Sequence, residues 1–277
     1  MIAWFLVLFS RTLLWLRYRV RVTGLEAAAG RGRSGILFLP NHPALIDPIL
    51  VLSRLWPTFA PRALADEKQI DRFFIRFMAR QTGVLAIPEL SRAEPQSRRR
   101  TAETLEACIA ALQDGQNVLI YPAGGLCRSR FENLGGKSAV ERILRQAPEV
   151  RIVLVRTRGL WGSRFSWAGG RRPQVGPTLR RAVVWLLSSG IFFAPRRQVT
   201  IELVEPDDVP RAADRNTLNR YLERFYNTAV PANTHVPYTI WERGARPRPE
   251  PAGPRAAGTG DVHDAGPGPR GGQPPAA

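Results

Sequence analysis

The order of apolar and polar residues predicts an α/β domain in which strands and helices alternate. Continuous apolar runs of strand length indicate buried strands, and apolar residues spaced three or four apart indicate helices packed on a sheet. The predicted strands are Val20–Val22, Ile36–Pro40, Val84–Ile87, Asn117–Tyr121, Arg151–Thr157 and Val199–Val204. The predicted helices are Pro48–Trp56, Lys68–Gln81, Arg99–Asp114, Lys137–Ala147 and Asn216–Ala229. This alternation is typical of a single mixed, largely parallel sheet flanked by helices.

Residues 1–24 form an apolar-basic segment that we expect to associate with a membrane. Met1–Leu16 is mostly apolar, and arginines follow at positions 17, 19 and 21. A spanning helix needs about 20 apolar residues, and a secretory signal carries its positive charge before the apolar run. The pattern favours a helix in the membrane interface, with Trp4 and Trp15 near headgroup level. An N-terminal helix packed on the core is the alternative.

A second apolar segment, Ala182–Ala194, has paired arginines on both sides, Arg180-Arg181 and Arg196-Arg197. It is too short to span a bilayer. A buried helix and a second membrane-contacting helix explain it about equally well, and the paired arginines slightly favour the membrane interface.

The charge is strongly positive, with 40 Lys+Arg against 23 Asp+Glu and a net +17 over 277 residues. Such a balance suggests a polyanionic partner, which is nucleic acid, anionic lipid or a phosphorylated small molecule, although nucleotide bias explains an arginine-rich composition equally well. Residues 244–277 contain 8 Gly and 8 Pro, and we expect this tail to be disordered because it has little apolar surface to bury. Residues 25–243 then form the domain.

Several classes of chemistry are disfavoured by the sequence. Two cysteines cannot form a disulfide-rich scaffold, and three scattered histidines offer no zinc spacing. A reducing cytosolic compartment follows from this cysteine usage, and no metal or cofactor is expected. The absence of G-x-S-x-G removes the usual serine hydrolase interpretation.

The segment Asn41-His42-Pro43-Ala44-Leu45-Ile46-Asp47-Pro48 directly follows the strand Ile36–Pro40. This is the carboxyl end of a strand, where α/β sheets place their chemistry. His42 can act as a general base if Asp47 fixes its tautomer. Residues five apart in a regular helix point about 140° away from each other, so the pair meets only if the segment forms a loop. The alternative is a structural His42 with Asp47 as helix N-cap before Pro48.

This segment resembles the first motif, His-x4-Asp, of the glycerolipid and lysophospholipid acyltransferases of the 1-acylglycerol-3-phosphate acyltransferase type. Ile120–Gly125 (IYPAGG) resembles that family's Phe-Pro-Glu-Gly motif, and Gly83–Pro88 resembles its Gly-x-x-x-Ile motif. Arg151–Arg158 stands where the family has a last motif on an apolar strand.

Four positions depart from the pattern of this family. Ala123 replaces its Glu, Leu126 its usual Arg, and Leu154 its proline, while Glu89 stands where Arg is normal. These departures leave the His–Asp pair intact, and they are compatible with an altered acceptor or with lost activity.

The resemblance implies a membrane-associated acyltransferase in phospholipid synthesis or remodelling, peripheral on the cytoplasmic face. An acyl group would pass from acyl-CoA or acyl carrier protein directly to the hydroxyl of a lysophospholipid, with His42 as general base and Asp47 orienting it. The expected substrate-binding residues are Asn41, Tyr121, Pro122, Gly124, Gly125, Arg128 and Arg130. The two glycines are candidates for the oxyanion site, and the two arginines, or Arg92, for the phosphate.

A non-catalytic basic protein that binds anionic lipid or nucleic acid is the alternative function. Under the acyltransferase interpretation no nucleic-acid partner is expected. The acceptor lysolipid, the donor, the acyl chain length and the oligomeric state are left open by the sequence.

Overall fold

The computed structural model describes residues 2–66, 85–87 and 95–251. Seven strands form one sheet in the order β1-β7-β6-β2-β5-β3-β4. They are β1 Tyr18–Thr23, β2 Ile36–Pro40, β3 Arg62–Asp66, β4 Leu85–Ile87, β5 Val118–Leu119, β6 Arg151–Arg158 and β7 Arg197–Val204. Neighbouring strands pair in parallel except β6 and β7, which are antiparallel. The predicted mixed, largely parallel sheet is confirmed.

Seven α-helices surround the sheet in the described part of the chain. They are α1 Ile2–Trp15, α2 Leu25–Gly30, α3 Asp47–Phe59, α4 Pro95–Gln113, α5 Ala139–Gln146, α6 Val175–Ser188 and α7 Arg215–Asn227. A 3₁₀ turn covers Trp167–Gly169, and β8 Thr234–His235 pairs with β9 Arg246–Pro247 outside the main sheet. The predicted helix Lys68–Gln81 lies outside the described residues.

Strand β2 is the centre of the fold, with all five of its residues buried. Its alternating side chains enter two separate cores, because successive residues of a strand face opposite sides of the sheet. Leu37 and Leu39 pack with residues of α4, α5 and α7, whereas Ile36 and Phe38 pack with residues of α1, α2 and α3. A strand buried on both faces explains why ILFLP is continuously apolar.

Helix α1 packs on the domain through one face and leaves the other exposed. Leu6, Val7 and Leu14 are buried, and the Trp4 ring meets the Trp56 ring of α3 edge-on at 5.6 Å. The outer face carries the exposed residues Trp4, Phe5, Leu8, Phe9, Leu13 and Trp15. The helix therefore contacts the core and also presents an apolar surface. In the part of the chain that the structure describes, no helix is both long enough and apolar enough to cross a bilayer.

The predicted disordered tail does not begin at Gly244. Arg246 and Pro247 form strand β9 against β8, and the Glu250 carboxylate accepts a hydrogen bond from the Trp161 indole at 2.9 Å. These contacts hold residues 244–251 on the domain, so the prediction is wrong for them. Residues 252–277 lie outside the described residues.

Candidate active site

The segment between β2 and α3 is a loop, and it brings His42 and Asp47 together. His42 Nδ1 lies 3.6 Å from Asp47 Oδ2, and the two side chains are 7% and 0% exposed. The Leu45 N–H donates to the Phe165 carbonyl and the Asp47 N–H to the Ala44 carbonyl, and these bonds fold the loop back. The loop thus supplies the geometry that a continuous helix would prevent.

Asp47 does not cap helix α3. The helix begins at Asp47 itself, Ile46 is the N-cap residue, and no side-chain capping hydrogen bond is present. Both Asp47 carboxylate oxygens are buried without a hydrogen-bond partner, as is His42 Nδ1. A buried carboxylate that accepts no hydrogen bond costs free energy, and at this distance it can offset a positive charge that develops on the His42 ring. The pair is therefore poised to stabilise an imidazolium.

The backbone of His42 is held by the segment that follows β5. The His42 N–H donates to Glu132 Oε2 at 2.9 Å, and the His42 carbonyl accepts from the Cys127 N–H at 2.9 Å. The Cys127 thiol donates to the same Glu132 oxygen at 2.9 Å. Residues 127–132 thus fix the loop that carries the histidine.

Glu132 is itself 4% exposed. Burial raises the pKa of its carboxyl, although the hydrogen bonds from Cys127 and His42 act in the opposite direction. Its backbone is anchored by Asn227 of α7, whose amide accepts from the Glu132 N–H and donates to the Glu132 carbonyl. Helix α7 therefore positions Glu132, and Glu132 positions His42.

Sequence reasoning missed Glu132. The signal that could have found it is that Glu132 is the only acidic residue between Asp114 and Glu141. An isolated acid in a mainly apolar and basic stretch indicates a specific partner, but nothing in its spacing identifies the His42 backbone as that partner.

Tyr121 closes the site on one side. Its ring lies 4.4 Å from the His42 ring, centroid to centroid, at an interplanar angle of 36°. Burial raises the pKa of the Tyr121 hydroxyl well above its usual range, and the neighbouring Asp47 carboxylate raises it further. Tyr121 therefore remains protonated next to the pair and can donate a hydrogen bond.

The other predicted residues of this region have more varied positions. Asn41 is buried, and its amide donates to the Thr157 carbonyl at 3.1 Å and accepts from the Thr157 N–H at 2.7 Å, so it ties β2 to β6. Pro122 is buried. The Gly124 N–H donates to the Tyr121 carbonyl within a turn. Of the two glycine amides proposed for the oxyanion, Gly125 is the better candidate.

The predicted phosphate-binding arginines lie on the segment that holds His42. The Arg128 guanidinium lies over the Trp167 ring, 5.7 Å from its centroid. Arg130 lies over Phe131 and has its Nη1 4.0 Å from Glu250 Oε1. The third candidate, Arg92, lies outside the described residues, as does Glu89.

The site combines a buried imidazole, an orienting carboxylate and a protonated phenol at the edge where β2 ends. Within the described ranges, no group of three or more His, Cys, Asp or Glu is arranged to hold a metal ion. The arrangement suits abstraction of a proton from an acceptor hydroxyl, in which Asp47 stabilises the imidazolium.

This fold, with a buried His–Asp pair at the carboxyl end of a central strand, is that of an α/β enzyme. The sequence model of the Acyltransferase family matches residues 19–157, from β1 into the end of β6 and over half of the chain. The protein belongs to the Acyltransferase family, and the matched span contains His42, Asp47 and Glu132.

Comparison with solved structures finds the 1-acyl-sn-glycerophosphate (LPA) acyltransferase PlsC from Thermotoga maritima. The two chains are 17% identical with a TM-score of 0.49, over 78% of this chain and 72% of that one. Comparison with curated proteins finds no match.

Proposed function

We propose that this acyltransferase transfers a fatty acyl group from acyl-CoA or acyl carrier protein to the hydroxyl of a lysophospholipid of the lysophosphatidic acid type. The observation that carries the proposal is the buried His42–Asp47 pair, 3.6 Å apart, in the loop after β2. Family membership indicates acyl transfer. The acceptor class is inferred from the His-x4-Asp motif and the glycine turn, both of which resemble motifs of the lysophospholipid acyltransferases.

The reaction is a direct transfer. With its Nδ1–H directed at Asp47, His42 presents an unprotonated Nε2, which takes the proton of the acceptor hydroxyl. The acceptor oxygen attacks the thioester carbonyl, the carbon–sulfur bond breaks, and the leaving thiolate takes the proton from the imidazolium. The products are an ester and a free thiol. The Gly125 N–H is the proposed donor to the oxyanion.

Cys127 is an alternative nucleophile because its N–H bonds the His42 carbonyl, but its environment argues against a covalent acyl-enzyme. Burial and the Glu132 carboxylate raise the pKa of this thiol well above its usual range. The reactive form of cysteine is the thiolate, so a buried thiol that donates to Glu132 is a poor nucleophile. Direct attack by the acceptor avoids this obstacle.

Arg128 and Arg130 are proposed to bind the acceptor phosphate. Both lie on the segment 127–132, whose backbone and Glu132 side chain hold His42. A phosphate bound there would have a fixed position relative to His42. The guanidinium group of arginine can donate two parallel hydrogen bonds to phosphate oxygens.

We further propose that the enzyme works as a peripheral protein on the cytoplasmic face of a membrane. The outer face of α1 exposes Trp4, Phe5 and Leu8, among others, to solvent. Aromatic and aliphatic side chains on one face of a helix, followed by arginines, favour binding in the headgroup region. A lysophospholipid acceptor would reach the site from that surface.

The proposal is tested by acyl transfer from labelled acyl-CoA to lysophosphatidic acid in detergent micelles. His42→Ala should abolish turnover, whereas His235→Asn should retain it. His235 is the matched control because it is also buried and bonds a carboxylate, that of Glu242 at 2.9 Å. Turnover by a folded His42→Ala protein would refute the proposal. Activity of the wild type on a different lysolipid only would refute the proposed acceptor.

A further inference from the structure

Helix α6 and the turn after it carry an apolar surface that the described part of the chain does not cover. No side chain of α6 is buried. The residues of this surface, hereafter the α6 face, are Leu179, Val183, Val184, Leu187, Ile191, Phe192, Phe193 and Trp241. Phe193 is 74% exposed and Trp241 78%. A contiguous exposed apolar patch of this kind marks an interaction site.

The opposite side of α6 is attached to the domain. The Trp185 ring lies 4.5 Å from the Tyr238 ring, and the Arg164 guanidinium lies over Trp185 at 4.9 Å. The Trp241 indole donates to the Ser188 carbonyl at 3.4 Å. These aromatic contacts hold the helix in place, so the α6 face has a fixed orientation.

The α6 face continues into the exposed face of α1. The Arg196 guanidinium lies 3.6 Å from the centroid of the Trp15 ring. Arg17, just beyond α1, donates to the carbonyls of Pro195 and Pro237. The chain after Phe193 is thereby joined to the end of α1, and the two apolar faces meet at Trp15.

The charge around the α6 face indicates what kind of partner binds to it. Residues 150–201 contain ten arginines and no acidic residue. Arg180 and Arg181 are exposed on α6 itself, and Arg171 and Arg172 are exposed just before it. Glu242, next to Trp241, is paired with His235. Apolar side chains with mainly arginines around them complement a bilayer, because acyl chains bind apolar groups and anionic lipid phosphates bind arginines.

We propose that the α6 face and the outer face of α1 form one docking surface for an anionic lipid bilayer. The inference rests on the proposed function, because a lysophospholipid acceptor is the reason that the enzyme would need a bilayer. Phe192, Phe193 and Trp241 insert at the level of the headgroups and upper acyl chains, and Arg180 and Arg181 bind lipid phosphates. The sequence left Ala182–Ala194 open between a buried and a membrane-contacting helix, and the exposure of α6 excludes the buried one.

Vesicle co-sedimentation of the full chain tests this surface. The vesicles contain phosphatidylcholine alone or mixed with phosphatidylglycerol. We expect the double variant Phe192→Ser/Phe193→Ser to lower the partition coefficient about tenfold or more on both vesicles. Arg180→Gln/Arg181→Gln should lower it about tenfold or more on the anionic vesicles only. The matched control is Arg215→Gln/Arg220→Gln on α7, which packs in the other core, and it should bind like wild type.

The outcomes separate this proposal from the proposed function. Loss of vesicle binding with normal acyl transfer in detergent micelles supports the docking surface. Vesicle binding with no acyl transfer by the wild type also supports it and refutes the acyltransferase proposal for the acceptor tested. Wild-type binding by both the phenylalanine and the α6 arginine variants overturns the docking surface.

Two further measurements keep the result interpretable. Val184→Ser, a single change at an exposed position, replaces the phenylalanine variant if that variant loses its circular dichroism spectrum, and it should lower binding in the same direction. Light scattering gives the oligomeric state of each variant. If the changes dissociate a dimer while vesicle binding stays normal, the α6 face is a contact between copies and the lipid proposal is overturned.

Discussion

The Glu132 carboxylate accepts a hydrogen bond from the His42 backbone N–H at 2.9 Å. The two residues are 90 positions apart and lie on segments that follow two adjacent parallel strands, β2 and β5. This bond does not touch the imidazole. It fixes the backbone from which the imidazole projects, while Asp47 faces the ring from the other end of the loop. His42, the proposed general base, thus faces one carboxylate at its backbone and a different one at its side chain.

Glu132→Ala is expected to lower kcat about 10- to 100-fold with little change in KM, because a displaced base misaligns the reacting atoms. Glu132→Gln keeps an acceptor oxygen and should recover part of kcat. Initial rates at saturating and subsaturating acceptor separate the two constants. The matched control is Glu223→Ala, because Glu223 also accepts a backbone bond, from the Leu134 N–H, away from His42. Equal losses in both alanine variants would contradict a specific role for Glu132.

Glu132 should also make stability depend on pH. Its folded-state pKa is raised, chiefly by burial, so the folded protein binds this proton more tightly than the unfolded chain does. The contribution of Glu132 to stability is therefore full below the ordinary pKa of glutamate and decreases as pH rises through the folded-state pKa. Thermal unfolding of wild type and Glu132→Gln from pH 4 to pH 8 measures this contribution. The wild-type Tm minus the variant Tm should fall across that range, and a rise would contradict the assignment.

Asp47→Asn is expected to reduce kcat about 10²- to 10⁴-fold while the protein stays folded. The amide has nearly the shape of the carboxylate, but it cannot offset the charge of the imidazolium that forms during proton transfer. Removing a buried carboxylate without a hydrogen-bond partner should leave the Tm unchanged or higher. Turnover measured together with Tm therefore distinguishes a catalytic from a structural aspartate. A lower Tm with normal turnover would indicate a structural role.

Elements with a clear apolar pattern could be predicted from the sequence, even the short strands β4 and β5, and elements without one could not. The run Ile36–Pro40 is apolar throughout because both faces of β2 are buried. Helix α2 and strand β3 were missed because each is short and rich in alanine, with LEAAAG and RALAD as their sequences. Their conformation is stabilised by neighbouring elements rather than by a local pattern.

In the candidate site, contacts within one local motif could be predicted from the sequence, and contacts between distant segments could not. His42 and Asp47 belong to one local motif, so their pairing could be expected once a loop was assumed. Glu132 contacts the His42 backbone only because β2 and β5 are adjacent and α7 anchors the Glu132 backbone through Asn227. Tertiary contacts of this kind leave little trace in sequence spacing. The same limit applies to Asn41, whose bonds to Thr157 join strands far apart in sequence.

Gly159→Ala is expected to destabilise the protein by about 1–3 kcal/mol. Gly159 has a φ of +88°, and an added Cβ would lie 2.2 Å from the Gln198 carbonyl oxygen on β7. Gly159 begins the segment that leads to Phe165. The Phe165 carbonyl accepts a hydrogen bond from the Leu45 N–H in the loop between β2 and α3, so acyl transfer should fall as well. Gly169→Ala is the control, because a Cβ there meets nothing within 4 Å. Urea unfolding of both variants gives the difference, and equal stabilities would contradict this account.

Cys127→Ala is expected to retain acyl transfer, with at most a modest loss of kcat. The thiol donates to Glu132, so its removal leaves one fewer hydrogen bond on that carboxylate but does not remove the bond from His42. The raised pKa of the thiol also predicts that it resists a disulfide reagent at pH 8 in the folded protein, and so does Cys108, whose pKa burial raises to about 12. Both should react after unfolding in guanidinium.

Rapid-quench kinetics complete the test, because direct transfer gives no burst of free thiol before the acceptor is added. A burst that Cys127→Ala abolishes would show a covalent acyl-enzyme and overturn the direct mechanism.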